Sequence, residues 1–254
     1  MKSVLRVGLI LLSCLALASP AFAGSFTNGG FESGDFTGWT QGAGWWYGGW
    51  PMDPGSYLPG GVNYSISANA SAVVTNYLDP RTDNHLNSVY NGIYSARVND
   101  NINNYSVSVI SQTVTGYTDP NIYFAWAAVL QGSHGLTDSD NFTLQLIDDT
   151  TSKVLYLVSY SSASAAGTPL FSHSSSDWYY TAWQVQSLDV SAMKGDDFTL
   201  TLLGSDCPYG GHAGYVYLDG FGAAPPPPGT PEPGTLALFG SGAVFAANWL
   251  RRRF

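Results

Sequence analysis

Short stretches of alternating apolar and polar residues run through most of the chain. In NFTLQLI (141–147), Phe142, Leu144 and Leu146 occupy every second position, and DFTLTLL (197–203) repeats the pattern. A period of two places successive side chains on opposite faces of a strand. Both stretches therefore predict half-buried β-strands.

Seven further segments rich in β-branched and aromatic residues are also predicted strands. Clusters of Gly, Asn, Asp and Pro separate them, and no useful helical period occurs between Gly24 and Pro225. About nine antiparallel strands in about 200 residues indicate an all-β, two-sheet sandwich of the jelly-roll type. The seven segments are 71–78, 92–98, 105–114, 122–130, 153–160, 183–190 and 214–221.

The N-terminus has the pattern of a secretory signal peptide, residues 1–23. Lys2 and Arg6 precede an apolar stretch, and Ala21-Phe22-Ala23 forms a small-residue cleavage site. A lipoprotein site at Cys14 is the alternative. Cleavage after Ala23 leaves Cys207 as the only cysteine, so the exported domain, residues 24–224, has no intrachain disulfide and depends on its core.

Charge is distributed unevenly along the chain. Of the 18 acidic residues one lies in the tail, and of the nine basic residues five lie in the two terminal segments, so 17 acidic and four basic residues remain between them. Nucleic acid is excluded as a partner, because phosphate contacts need clustered Lys or Arg. Acidic groups of this kind are also ligands for calcium.

The C-terminal segment differs in composition from the domain. A Pro-rich stretch, 225–230, predicts a stiff polyproline linker. The next segment, 231–254, contains 16 uncharged residues (235–250) before three arginines, which predicts one short transmembrane helix with a cytoplasmic basic end. The alternative is a buried terminal helix of the domain.

This tail resembles a PEP-CTERM sorting signal, in which a Pro-Glu-Pro tripeptide, a short apolar span and basic residues follow one another. The resemblance implies that an exosortase recognises and cleaves the chain after transient anchoring in the inner membrane. It also implies a Gram-negative bacterium that makes exopolysaccharide, with the product at the cell surface or in the biofilm matrix. The matching residues are Pro231, Glu232, Pro233, Arg251, Arg252 and Arg253.

The two ends of the domain resemble jelly-roll, carbohydrate-binding-module-like domains. The match lies in NGGFE (28–32) with the following Gly38-Trp39, and in the last predicted strand, GYVYLDGFG (214–222). The resemblance implies a structural calcium held by Glu32 and Asp219. In the alternative, Glu32 caps a turn and Asp219 accepts hydrogen bonds from backbone amides.

Aromatic residues in a Gly-rich segment form the candidate sugar site. GWWYGGWPMDPGSY (44–57) contains Trp45, Trp46, Tyr47 and Trp50, whose exposed faces would stack on sugar rings. We expect a surface position because such a loop forms little core. A second aromatic group, DWYYTAW (177–183), is the other candidate, although Trp183 is expected in the core.

The sequence offers no catalytic motif. The domain has one Glu, its four histidines look scattered, and Cys207 has no basic neighbour in the sequence. We therefore expect a non-catalytic exported protein that binds sugar or serves as a structural component. The alternatives are a secreted polysaccharide-acting enzyme with an Asp-based site and self-association into a lattice without sugar.

Overall fold

The computed structural model describes residues 24–48, 51–222 and 224–225. The predicted signal peptide, most of the Pro-rich linker and the whole segment 231–254 lie outside the described residues, as does Trp50. Within the described part of the chain, no helix combines the length and hydrophobicity that a membrane crossing requires.

The described chain contains twelve strands and one helical turn, α1 (Ser162–Ala165), which follows the seventh strand. Four 3-10 turns lie at Pro54–Tyr57, Ile66–Ala68, Pro80–Thr82 and Ser191–Met193. The strands are β1 (Thr40–Trp45), β2 (Ala72–Thr75), β3 (Tyr94–Val98), β4 (Ser106–Val114), β5 (Asn121–Gln131), β6 (Asn141–Asp148), β7 (Lys153–Ser161), β8 (Ser172–His173), β9 (Trp178–Tyr180), β10 (Gln184–Asp189), β11 (Phe198–Ser205) and β12 (Gly214–Gly222).

The strands form two antiparallel sheets that pack face to face. The five-stranded sheet has the order β1-β4-β11-β6-β7, and the seven-stranded sheet has the order β2-β3-β12-β5-β9-β8, with β10 also paired to β5. Side chains such as Trp126, Phe142 and Leu218 fill the space between the sheets. The predicted all-β antiparallel sandwich is confirmed.

All nine predicted strands are present, with shifts of a few residues at their ends. The strand β1 was not predicted, because TQGAGW has no alternation of apolar and polar residues. Its glycines have a steric role. A Cβ at Gly42 or Gly44 would clash with the backbone carbonyls of Tyr57 and Asn63, so the 3-10 turn and its loop pack directly on this strand.

The expectation that β6 and β11 are half-buried is wrong, because both faces are largely covered. Thr143 and Thr201 are buried although they point away from the main core. Thr143 pairs its hydroxyl with Ser159 at 2.9 Å, and Thr201 pairs with Ser111 at 3.0 Å. Neighbouring side chains in the sheet thus replace water as hydrogen-bond partners.

Candidate functional site

The predicted sugar-binding segment is divided between the surface and a small core. The Trp45 side chain is 38% exposed and that of Tyr47 is 77% exposed, whereas Trp46 between them is only 2% exposed. Trp46 packs in a cluster with Met52, Tyr57, Val107, Val109 and Leu203 on the outer side of the five-stranded sheet. The expectation that this loop forms little core is therefore wrong, and Trp46 presents no open ring to a sugar.

The exposed rings of this end of the molecule come from three separate loops. Tyr47 lies 5.8 Å from the ring of Tyr105, centroid to centroid, and the Trp46 amide donates to the Tyr105 carbonyl at 3.0 Å. Tyr209 is 63% exposed on the loop between β11 and β12. We call Tyr47, Tyr105 and Tyr209 the aromatic corner.

Tyr105 is held in an unusual backbone conformation with φ of 70°. Its ring lies against Gly210, where a Cβ would come within 2.6 Å of the ring carbon Cζ. Gly210 itself has φ of 67°. A side chain at position 210 would therefore be strained and would displace Tyr105, so glycine is required to place two loops of the aromatic corner together.

A buried carboxylate fixes the turn that contains Tyr105. Asp206 accepts hydrogen bonds from the amides of Asn104 at 2.9 Å and Ser106 at 3.1 Å, on either side of Tyr105. The Asn99 side chain donates to its other oxygen at 2.9 Å. Burial raises the pKa of Asp206 to about 6 because the charged form is desolvated.

A second group of aromatic residues lies on the outer side of the seven-stranded sheet. We call Trp178, Trp183, Tyr215 and Tyr217 the covered face, because residues 76–91 pack over it. Trp183 and Tyr217 contact each other with ring centroids 6.2 Å apart, and the guanidinium of Arg81 lies 5.2 Å from the Trp178 ring. Trp and Tyr residues of this kind occur in sugar-binding sites, but here residues 76–91 cover the rings.

Asp79 is the polar centre of the covered face. One of its carboxylate oxygens accepts hydrogen bonds from the hydroxyls of Tyr215 at 2.7 Å and Tyr217 at 2.8 Å, and the other accepts from the Arg81 amide at 2.9 Å. The Trp183 indole donates to the Asn87 carbonyl at 2.8 Å. Burial raises the pKa values of both tyrosines, and the nearby Asp79 charge raises them further.

Glu32 and Asp219 both accept hydrogen bonds from backbone amides of residues 90–94, which include the start of β3. Glu32 accepts hydrogen bonds from the amides of Ile93 and Tyr94, and Asp219 accepts from those of Tyr90 and Asn91, at 3.0 to 3.3 Å. These contacts are the ones expected if the carboxylates act as backbone acceptors. Burial, with a contribution from Glu32, raises the pKa of Asp219 to about 7. Calcium binding at this pair stays a prediction.

The interpretation of the histidines as scattered is wrong for two of the four. His134 and His212 lie with ring centroids 4.8 Å apart, and Cys207 lies beside His212. Within the described residues, these three form the one group of three or more His, Cys, Asp or Glu residues whose ligand atoms lie close enough to hold a metal ion. The sequence signal was weak, because only Cys207 and His212 are close along the chain.

The carboxylates with raised pKa values are buried and therefore inaccessible to a polysaccharide chain. Burial raises the pKa of Asp140 as well as those of Asp206 and Asp219. All three side chains are at most 1% exposed. A glycoside hydrolase needs its two carboxyl groups on either side of the bond to be cleaved. These three residues offer no such placement.

Comparison with known proteins identifies the tail and shows similarities for the domain. Residues 229–253 match the PEP-CTERM protein-sorting motif, which confirms the resemblance of the tail. This motif indicates export and membrane-associated sorting to the cell surface. No curated protein matches the chain by sequence.

Solved structures similar to the domain include carbohydrate-binding modules with a β-sandwich fold. One is TmCBM61 in complex with β-1,4-galactotriose, with 13% identity, a TM-score of 0.39 and coverage of 78% of this chain and 96% of that one. Another is CBM28, specific for non-crystalline cellulose, with 11% identity, a TM-score of 0.36 and coverage of 75% and 90%. The xylan-binding CBM22-1 of Paenibacillus barcinonensis Xyn10C has 14% identity, a TM-score of 0.29 and coverage of 79% and 94%.

Proposed function

We propose that this chain is a non-catalytic surface protein that an exosortase processes and that binds a polysaccharide of the extracellular matrix through its aromatic corner. The observation that carries the proposal is the sorting motif at residues 229–253. The motif supports the proposal because a domain sorted to the cell surface would meet exported glycans there. The cell is a Gram-negative bacterium in this proposal, and the catalytic residues of processing belong to the exosortase.

Processing is tested by replacing Pro231, Glu232 and Pro233 with alanine in the producing cell. We expect the variant to stay in the membrane fraction at full length, because the tripeptide is the recognition element. Replacing Pro225 and Pro226 with alanine is the matched control and leaves release unchanged. Normal release of the tripeptide variant would contradict the exosortase assignment.

Polysaccharide binding is supported by the composition and exposure of the aromatic corner. Sugar rings present C–H faces that pack on aromatic rings, and their hydroxyls need polar partners nearby. The corner supplies three tyrosines from loops that hydrogen bonds and a ring contact connect. Asn101 and Asn103 are exposed on the loop that leads to Tyr105, and Asn103 donates to the Gly211 carbonyl at 2.9 Å.

Binding is tested with the full chain, purified in mild detergent, on a glycan array and on the polysaccharide of the producing cell. Binding without turnover supports the proposal. Hydrolysis of a glycan that is abolished by one Asp substitution would favour the enzyme alternative. If the chain binds no glycan but assembles with rising concentration, it is a structural component that self-associates.

Calcium at Glu32 and Asp219 is a separate proposal, supported by the proximity of the two carboxylates to each other, since the charge of Glu32 contributes to the raised pKa of Asp219. A calcium-dependent rise in melting temperature that is lost in Glu32→Gln would support it. If calcium leaves the melting temperature of both proteins unchanged, the two carboxylates serve as acceptors for backbone amides only.

A further inference from the structure

Three potential metal ligands meet beside the aromatic corner, from two loops far apart in the sequence. Cys207 and His212 belong to the loop between β11 and β12, and His134 belongs to the loop between β5 and β6. Cys207 is fully buried, His212 is half-buried and His134 is exposed. The group therefore has a closed side at the sulfur and an open side at His134.

The loop from Cys207 to His212 is closed by its own backbone. The Cys207 amide donates to the His212 carbonyl at 2.9 Å, and the Gly210 amide donates to the Cys207 carbonyl at 3.2 Å. The Gly211 amide lies 3.4 Å from the Cys207 sulfur and donates to it. The closed loop fixes the distance between the sulfur and the imidazole.

The distances match those of a shared metal ion. The Cys207 Sγ atom lies 3.7 Å from His212 Nδ1. Bonds of about 2.3 Å from zinc to sulfur and about 2.0 Å to nitrogen, at a tetrahedral angle, separate these donors by about 3.5 Å. The ligand atoms of all three residues lie within 4.8 Å of one another. A small movement of the exposed His134 side chain completes the arrangement.

The chemistry of the group favours a metal over two other uses of a cysteine. Cys207 cannot form an intrachain disulfide in the exported domain, since the only other cysteine, Cys14, lies in the predicted signal peptide. A nucleophilic thiol must reach a substrate, and the buried Cys207 does not.

We propose that Cys207, His212 and His134 bind one transition-metal ion of the zinc type. One thiolate and two imidazoles are the donors that zinc prefers, whereas calcium and magnesium prefer oxygen. Three protein ligands leave the fourth position for water or an external ligand. His134, the exposed member of the group, lines a cavity of about 350 Å³ together with Ser133, Asp177 and Tyr179.

The proposal is tested by titrating the chelator-stripped full chain with Zn²⁺ and with Co²⁺, which reports thiolate ligation by a near-ultraviolet charge-transfer band. We expect one Zn²⁺ per chain and a Co²⁺ complex that shows this band. Cys207→Ser should abolish the band, and His134→Asn and His212→Asn should each weaken Zn²⁺ binding at least tenfold, because each removes one of three ligands.

His85→Asn is the matched control, since His85 is an exposed histidine that stacks on Tyr180 outside the group. Its Zn²⁺ affinity should equal that of the unsubstituted chain. His134→Asn also tests the proposal if Cys207→Ser fails to fold, because His134 lies on the surface. The proposal is overturned if no stoichiometric Zn²⁺ binds, if bound Co²⁺ shows no thiolate band, or if His85→Asn weakens binding as much as His134→Asn.

Discussion

The aromatic corner and the covered face have similar residues and opposite surroundings. In the corner, Tyr47 and Tyr209 present their rings to solvent, and the hydrogen bonds of Asp206 go to the backbone of the loop that carries Tyr105. In the covered face, Asp79 binds the hydroxyls of Tyr215 and Tyr217 directly. In the aromatic corner, Asp206 thus holds a loop whose tyrosine ring stays accessible to solvent. In the covered face, Asp79 binds the tyrosines themselves, and their rings are buried.

This difference shows that the availability of an aromatic ring depends on which distant segment packs against it. The covered face is rich in the residues that sugar sites use, yet residues 76–91 of the same chain occupy it. The corner has fewer rings, but none of its three is in the core clusters. The predictions below separate the two regions by substitutions that should affect one and leave the other unchanged.

The largest effect should follow from Asp79→Ala. This change leaves two buried tyrosine hydroxyls without their acceptor, so we expect a loss of about 3 kcal/mol in the free energy of unfolding. The melting temperature should fall by about 6–12 °C for a domain of this size. Asp189→Ala, which removes an exposed acceptor for the Ser191 amide, is the control and should leave the free energy of unfolding nearly unchanged. An equal loss of free energy of unfolding in both variants would show that Asp79 does not hold residues 76–91 against the covered face.

The raised pKa values of the buried carboxylates should make the free energy of unfolding depend on pH. Asp206 and Asp219 have pKa values raised to about 6 and about 7, so the folded state holds their protons more tightly than the unfolded state. Their stabilisation is complete below about pH 4 and is lost as the pH rises through 6 and 7. We expect the free energy of unfolding to fall by roughly 2 kcal/mol between pH 6 and pH 8.

Denaturant titrations at several pH values measure this change. His212 has a lowered pKa and acts in the opposite direction, so its contribution rises as the pH passes upward through its folded and unfolded pKa values. The free energy of unfolding should therefore fall more steeply with rising pH in His212→Asn and less steeply in Asp219→Asn. A free energy of unfolding that increases steadily from pH 5 to pH 8 would contradict the account of these carboxylates.

Removing the open rings should impair binding without affecting the fold. In Tyr47→Ala with Tyr209→Ala, we expect polysaccharide affinity to fall about tenfold or more, because each stacked ring contributes about 1 kcal/mol. Thermal stability should change little, since both side chains are exposed. Tyr64→Ala is the matched control, because Tyr64 is as exposed as Tyr105, at 37%. The same affinity in the double variant and in the control would place the binding site elsewhere.

The smallest effect should come from Tyr77→Phe at the margin of the covered face. The change removes one hydroxyl that lies 2.8 Å from that of Tyr217, while Tyr217 keeps Asp79 as acceptor. We expect a loss of about 0.5–1 kcal/mol in unfolding experiments and no change in polysaccharide binding. Altered binding would show that the covered face takes part.

The sheets were predictable because strand formation leaves a local signal. Every second residue of β6 and β11 is apolar, and the turns between strands are rich in Gly, Asn and Asp. The strand β1 has no such signal. Its small residues are explained only by the loop that packs on Gly42 and Gly44, which is a contact between segments distant in sequence.

The candidate site was only partly predictable, because exposure and proximity are set by tertiary contacts. Trp45 and Trp46 are neighbours, but only Trp46 is buried, since the loop that ends in Tyr57 folds over one side of the sheet. Tyr105 and Tyr209 carried no recognisable pattern beyond neighbouring Asn and Gly. His134 reaches His212 only through the arrangement of two loops at one end of the sandwich.

The most direct test compares both aromatic regions in one experiment, by hydroxyl-radical footprinting of the full chain with and without the polysaccharide of the producing cell. We expect Tyr47, Tyr105 and Tyr209 to be modified in the free chain and protected in the complex. We also expect Tyr215 and Tyr217 to stay unmodified in both. Unchanged labelling of the corner on saturation, or a change in labelling confined to Tyr215 and Tyr217, would contradict this expectation.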